Sequence, residues 1–286
     1  MTLVNTKIPV IAIMYDFDKT LCTKNMQEYS FIPNLGLSAG EFWKAAEKLS
    51  IERQMDGILA YMWEMLVQSK KNSMSIHRSD FVELGKALKF YSGVTEWFER
   101  INKFGEEQGV KIEHYIISSG LREIIEGSSI YKEFTDIFAC EYLYDENDIA
   151  CWPKNVVNYT TKTQFLFRIN KGVPDISDDK TLNEFIPEDE RRVPFRNMIY
   201  IADGITDVPC MKLVKVNGGH SIAVYQKGKK ELANELIRNH RVNYIAPANY
   251  KEGNALDLII KDVITEMAVK DRLVRLQLKQ KKESDK

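Results

Sequence analysis

The chain has 286 residues, 44% of them hydrophobic and 28% charged, with a formal net charge of -1. That balance suits one large globular domain or two smaller ones, and it leaves no electrostatic footprint for nucleic acid or an anionic membrane. Cys22, Cys140, Cys151 and Cys210 are scattered and the four histidines lie apart, which fits neither a disulfide framework nor a zinc site.

The apolar, β-branched run Ile8 to Tyr15 reads as a strand buried on both faces, the habit of a parallel sheet. It is too short for a signal peptide and leads straight into acids. No apolar stretch approaches the ~20 residues that span a bilayer, so the expectation is a cytoplasmic protein without membrane contact. From about Lys24 to Phe90 the texture is helical. Ser38-Ala39-Gly40-Glu41 predicts a capping box ahead of Phe42, Ala45, Ala46 and Leu49. Met55, Ile58, Leu59, Met62, Met65 and Leu66 recur on one helical face, and Phe81, Leu84 and Leu88 suggest a third helix.

Strand and helix then alternate. Thr95 to Phe104 reads as a helix, and His114 to Ile117 as a short strand that ends at Ser118-Ser119-Gly120. A helix is expected over Leu121 to Glu126, and strands over Ile137 to Tyr142, Met198 to Ala202, Ser221 to Tyr225 and Tyr244 to Ala246. Such alternation predicts an α/β fold, a Rossmann-like parallel sheet with helices on both faces. The proline-containing stretch Arg168 to Arg196 is expected to be an irregular or partly mobile excursion. Asn254 to about Met267 reads as a last amphipathic helix, followed by a Lys- and Arg-rich end expected to fray into a solvated tail. The expected organisation is a discontinuous core (1–23 and 91–266), a helical insertion (24–90) and a charged end (267–286).

Three strands run into reactive polar residues: Asp16-Phe17-Asp18-Lys19-Thr20, Ser118-Ser119-Gly120, and Asp203-Gly204-Ile205-Thr206-Asp207. Ligands of an open parallel sheet bind at the carboxyl ends of its strands. Four carboxylates gathered there would resist ionising together. A bound cation relieves that, and an oxygen-only donor set selects Mg2+ over zinc. Mg2+ in turn implies a substrate phosphate and phosphoryl transfer. Asp16, at the strand end, is the candidate nucleophile on phosphorus. Asp18 is the candidate general acid and base. Ser118 and the backbone around Ser119 and Gly120 would hold phosphate oxygens. Asp203 and Asp207 would complete the metal site. One cation is still wanted; Lys162 suits, although spacing alone does not choose it over Lys154 or Lys171.

These motifs resemble the signatures of the haloacid dehalogenase-like (HAD) hydrolases. Asp16-Phe17-Asp18-Lys19-Thr20 matches Asp-x-Asp-x-Thr, Ser118 the strand-end Ser or Thr, Lys162 the third-signature Lys, and Asp203-Gly204-Ile205-Thr206-Asp207 matches Asp-Gly-x-x-Asp. The helical insertion looks like the family's type-one cap, as in phosphoserine phosphatases, and the resemblance spans roughly residues 8 to 225. It implies a HAD-like core plus a small cap, with Asp16 as nucleophile and Asp18 as acid and base. It further implies that Mg2+ is held by Asp16, the Asp18 carbonyl and Asp203, with Asp207 supporting through water or Lys162. An acid at position 18 favours oxygen leaving groups, because dehalogenases of the superfamily work without it. Ala202 stands where the fourth signature often has Gly. The expected activity is a magnesium-dependent phosphatase acting on a small phosphorylated metabolite. The alternatives are a phosphotransferase or mutase, or a non-catalytic phospholigand-binding protein. Glu28 or Glu41 would suit a substrate amino group and Arg53 a carboxylate. Neither the substrate nor the oligomeric state is legible.

Overall fold

The computed structural model describes residues 8–74 and 76–284, with the side chain of Asp189 also left out. The outermost positions of the expected core (1–7) and charged end (285–286) fall outside the described residues. Within them, seven strands form one sheet in the order β4-β3-β2-β1-β5-β6-β7. They are β1 Val10–Tyr15, β2 Lys111–Leu121, β3 Asp136–Tyr144, β4 Ala150–Asn155, β5 Met198–Ala202, β6 His220–Tyr225 and β7 Tyr244–Pro247. All neighbours pair in parallel except β3 and β4, which are antiparallel.

β1 and β5 carry almost unbroken apolar sequence because they lie in the middle of the sheet with both faces covered. The chain leaves β1 for β2 on one side and later returns to β5 on the other. The end of β1 is therefore the point where strand order reverses, and there a crevice opens. The helices are α1 Phe31–Asn34, α2 Ala39–Arg53, α3 Gly57–Lys71, α4 Arg78–Leu84, α5 Val94–Glu107, α6 Arg122–Glu126, α7 Lys162–Lys171, α8 Asp179–Asn183, α9 Val208–Val216, α10 Glu231–Arg238 and α11 Ala255–Ser284. The first five lie between β1 and β2 in the chain. Ser38 caps α2 in a capping box with Glu41, as its sequence predicts.

Several expectations are corrected. The sheet is not wholly parallel: β4, which no sequence pattern predicts, adds an antiparallel edge strand. β2 continues through Leu121, so Ser118-Ser119-Gly120 belongs to the strand rather than following it. Its register with β3 breaks between Ile117 and Leu121, which lifts those three residues out of the ladder. The last helix does not stop near Met267 but runs to Ser284. The stretch after α7 is largely irregular, yet it is pinned. Buried Arg168 donates to the carbonyls of Asp175 (2.5 Å) and Ile176 (3.1 Å), and Arg192 forks onto both carboxylate oxygens of Glu113.

Candidate active site

Asp16 is the first residue past β1. Its amide donates to the carbonyl of Ile201 on β5 at 3.0 Å, so the strand ladder carries through to it. Lys162, the first residue of α7, extends its ammonium to Asp16 Oδ1 at 2.8 Å and to Asp207 Oδ1 at 2.6 Å. It is 1% exposed. Lys154 pairs with Glu141 at the surface, and Lys171 donates to the carbonyls of Leu182 and Glu184. The structure thus brings Lys162 to the acids and leaves the other two elsewhere.

Both oxygens of Asp207 are engaged. Oδ1 also accepts from Tyr200 OH at 2.6 Å, and Oδ2 accepts from Thr206 Oγ1 at 2.9 Å. Thr20 Oγ1 donates to Asp16 Oδ2 at 3.3 Å. Sequence reasoning assigns no role of their own to Tyr200, Thr20 or Thr206. Tyr200 sits inside an apolar strand, where its hydroxyl gives no pattern of its own. The other two lie within the acidic motifs, and the period of the motif alone ranks neither.

Asp18 is set differently. Its Oδ1 accepts from the Met26 amide at 2.8 Å and from Cys22 Sγ at 3.5 Å. A Cβ built on Gly120 would meet Asp18 Oδ2 at 3.3 Å and the Met26 side chain at 2.1 Å. Only glycine lets strand β2 pass this close to the acid. Ser118 is fully buried, and its Oγ accepts from the Gly120 amide at 3.0 Å. The Leu121 amide donates to Met26 Sδ at 3.1 Å. Ser119 offers a buried hydroxyl with no partner. Its carbonyl accepts from Tyr61 OH, on α3, at 2.6 Å, so the helical insertion rests directly on the bulged end of β2. Sequence reasoning missed Met26, Cys22 and Tyr61, whose roles exist only through these long-range contacts.

The charges behave as a crowded acidic cluster should. Burial raises Asp16 to about 6; Lys162 pulls it back and Asp207 pushes it up. Burial, then the charge of Asp16, raises Asp18 to about 8. Burial, then Asp16 and Asp207, raises Asp203 to about 7. Burial alone would lower Lys162, but Asp16 and Asp207 overcome it and hold the ammonium charged. One buried cation among four acids leaves a negative surplus. Among the described residues no group of three or more His, Cys, Asp or Glu side chains stands at metal-binding spacing. Two carboxylates and a backbone carbonyl, the set implied for Asp16, Asp203 and Asp18, do not need one. Glu41 is spent on capping α2, Arg53 is exposed, and Glu28 accepts from Trp43 Nε1 at 2.9 Å.

No helix among the described residues is long and apolar enough to cross a membrane. No family model matches the chain. An uncharacterized protein of Borreliella burgdorferi is 32% identical over 281 residues, covering 88% of this chain and 95% of that protein. Among solved structures, a HAD family hydrolase from Salmonella enterica serovar Typhi is similar with a TM-score of 0.56 at 16% identity, over 89% of this chain and 71% of that one. A substrate-bound phosphoserine phosphatase gives 0.55 at 14%, over 89% and 99%. A phosphoserine phosphohydrolase-like protein from Francisella tularensis gives 0.51 at 19%, over 87% and 98%. The chain belongs to one family with the Borreliella burgdorferi protein, and its fold is the phosphoserine phosphatase-like fold of the haloacid dehalogenase-like hydrolases.

Proposed function

We propose that this chain is a magnesium-dependent phosphatase that hydrolyses a small phosphorylated metabolite in the cytoplasm, through an aspartyl-phosphate on Asp16. The supporting observation is a pair of acids, two residues apart, that burial raises to different extents, Asp16 beside the Lys162 ammonium to about 6 and Asp18 to about 8. Lys162 holds Asp16 toward its charged form, whereas Asp18, without an ion-pair partner, is raised to about 8 and keeps its proton at neutral pH. Two carboxyls pushed apart in this way are suited to act as nucleophile and acid.

The donor set fits a hard divalent cation. Asp16 raises Asp203 by like charge, a crowding that a divalent cation between their oxygens would relieve. Asp16, Asp203 and the Asp18 carbonyl would hold Mg2+, with Asp207 supporting through Lys162 because both its oxygens are taken. When bound, the ion would polarise a phosphoryl oxygen and orient the group.

The chain's own residues do the rest. Asp16 attacks phosphorus while the ester P–O bond breaks, and Asp18 passes its proton to the departing oxygen. Asp18, now a carboxylate, takes a proton from water as that water attacks the aspartyl-phosphate. Phosphate leaves and Asp16 is restored. Ser118 and the bulged backbone through Gly120 hold phosphoryl oxygens, and Lys162 offsets charge between nucleophile and phosphate. Residues 24–90 act as the cap on a core of 1–23 and 91–266, and 267–286 extends from it. The experiment is turnover of p-nitrophenyl phosphate with magnesium, abolished by chelation and by Asp16→Asn. Labelled oxygen from water must appear in the released phosphate, which separates hydrolysis from transfer to another hydroxyl. A protein that binds phosphate esters without turning them over ends this reading.

A further inference from the structure

We propose that a second anion-binding subsite adjoins the phosphoryl site, so that the preferred substrate carries a carboxylate or a second phosphate besides the group removed. The inference rests on the phosphatase reading and goes on to name the substrate class.

A cavity of about 410 Å3 opens beside Asp203, walled by Lys19, Tyr225, Gln226, Lys229 and Leu232. Its volume falls in the range of small-molecule sites, roughly 300–1,000 Å3, and exceeds what a single phosphate fills. The inner end is a carboxylate of the proposed metal site. The outer wall is the turn between β6 and α10, Gln226-Lys227-Gly228-Lys229-Lys230, with three ammonium groups and no acid. The turn is closed by the Lys229 amide on the Gln226 carbonyl at 2.9 Å, and Gly228 takes the left-handed φ of +81° that the closure requires. Lys230 lies over the Tyr225 ring at 5.5 Å, which leaves Lys229 to line the cavity. Gln226 Nε2 donates to the Thr23 carbonyl at 3.2 Å, anchoring the turn to the chain that leads into the helical insertion.

Lys19 forms the facing wall. It follows Asp18 directly and is held at φ +57°. Its charge acts on both Asp18 and Asp203. Among the described residues neither Lys19 nor Lys229 sits in an ion pair, although Glu231 also lines the cavity. Tyr91, close enough to Asp203 to feel its charge, places its hydroxyl beside Gln226. The lining therefore carries both signs: Asp203, beside the proposed cation and reacting phosphoryl group, and Glu231, with Lys19 and Lys229 free to meet a further anion. Val224, Leu232 and Ala233 supply an apolar lining for the carbons between.

The test is calorimetry on Asp16→Asn, which does not turn over, with magnesium present and two matched pairs. Glycerol 3-phosphate is set against 3-phosphoglycerate, and fructose 6-phosphate against fructose 1,6-bisphosphate. The member with the extra anion is expected to bind about tenfold tighter in at least one pair, in keeping with one charge-assisted contact. Which pair shows it identifies carboxylate or phosphate as the second group. Adding Lys229→Ala, at an exposed turn, removes most of that preference and leaves the Kd of the partner without the extra anion within about twofold. Equal affinities within both pairs, or a loss that Lys229→Ala imposes equally on both members, overturns the subsite. A preference without any turnover of p-nitrophenyl phosphate by the unaltered protein retires the phosphatase reading alone. Turnover without a preference retires the subsite alone.

Discussion

The strand that presents Asp16 is fixed at its last residue by a buried polar chain, and that chain makes a sharp prediction about acid stability. Trp97 Nε1 donates to Tyr15 OH at 2.8 Å. An indole N–H can only donate, so the Tyr15 proton goes on to His114 Nδ1, 3.0 Å away. That leaves the other ring N–H of His114 for Asn102 Oδ1, at 3.0 Å. The chain is complete only while His114 is neutral, and burial lowers its pKa from 6.5 to about 3. The unfolded chain therefore binds the proton first, and stability falls as pH drops below 6.5 until it levels near 3. Between pH 7 and pH 5 the loss from this one residue is about 2 kcal/mol, at ~1.4 kcal/mol per unit. His114→Gln keeps a donor for Asn102 and removes the titration, at a cost near neutrality of about 1–3 kcal/mol. Urea unfolding of both proteins at pH 7 and pH 5 isolates the residue, because every other titrating group is shared. The gap between them is expected to shrink by about 2 kcal/mol at the lower pH. A gap that stays constant, or widens, would refute the neutral buried imidazole.

Four further outcomes test the site itself. Asp18→Asn lowers kcat/KM, which reports the leaving-group step and not the later attack of water, by about 10²–10⁴ for an alkyl phosphate but much less for p-nitrophenyl phosphate, whose leaving group needs no proton; equal losses in kcat/KM would remove Asp18 as the acid. Because Asp18 must be protonated and sits near 8, the alkyl phosphate rate declines as pH rises through that value in a pH–rate profile. Lys162→Met leaves Asp16 and Asp207 buried without their counter-ion and costs about 3–5 kcal/mol in denaturant unfolding, whereas surface Lys154→Met costs under about 1 kcal/mol. Tyr61→Phe frees the Ser119 carbonyl from α3 and costs about 0.5–1.5 kcal/mol, with faster proteolysis within 24–90 than in the unaltered protein.

Much of the framework was legible because burial writes itself into sequence where both faces of a strand are covered. β1 and β5 are almost wholly buried along their lengths and read as unbroken apolar runs. β4 failed for the complementary reason. It is an edge strand of the sequence Ala-Cys-Trp-Pro-Lys-Asn, mostly uncovered, with Pro153 inside it, and an edge tolerates a proline that a central strand does not. α11 was cut short because Lys and Arg dominate its end. Its continuation past Met267 has a local cause all the same: Asp271 is buried, takes Arg275 Nε at 2.6 Å within the helix and receives Asn197 Nδ2 at 3.4 Å, so the helix is tied at Asp271 to the segment that enters β5.

The candidate site divides along the same line. Asp16, Asp18, Asp203 and Asp207 could be named because strand-end acids fall in short motifs. Spacing does not choose the counter-ion, since a lysine's role depends on what surrounds it and not on its neighbours in the chain; Lys162 is named only through the resemblance to the third signature. Lys154, Lys162 and Lys171 are equivalent on paper. In the fold one pairs at the surface, one ties down the irregular stretch after α7, and one is enclosed between two carboxylates. Enclosing an ammonium costs several kcal/mol in lost hydration unless its partners are close and well placed. Lys162 meets that condition only because α7 begins beside the end of β1, and Tyr200 and Thr206 hold Asp207 in place for it. The arrangement is thus a property of three chain segments that meet at one strand end, and no single segment could have announced it.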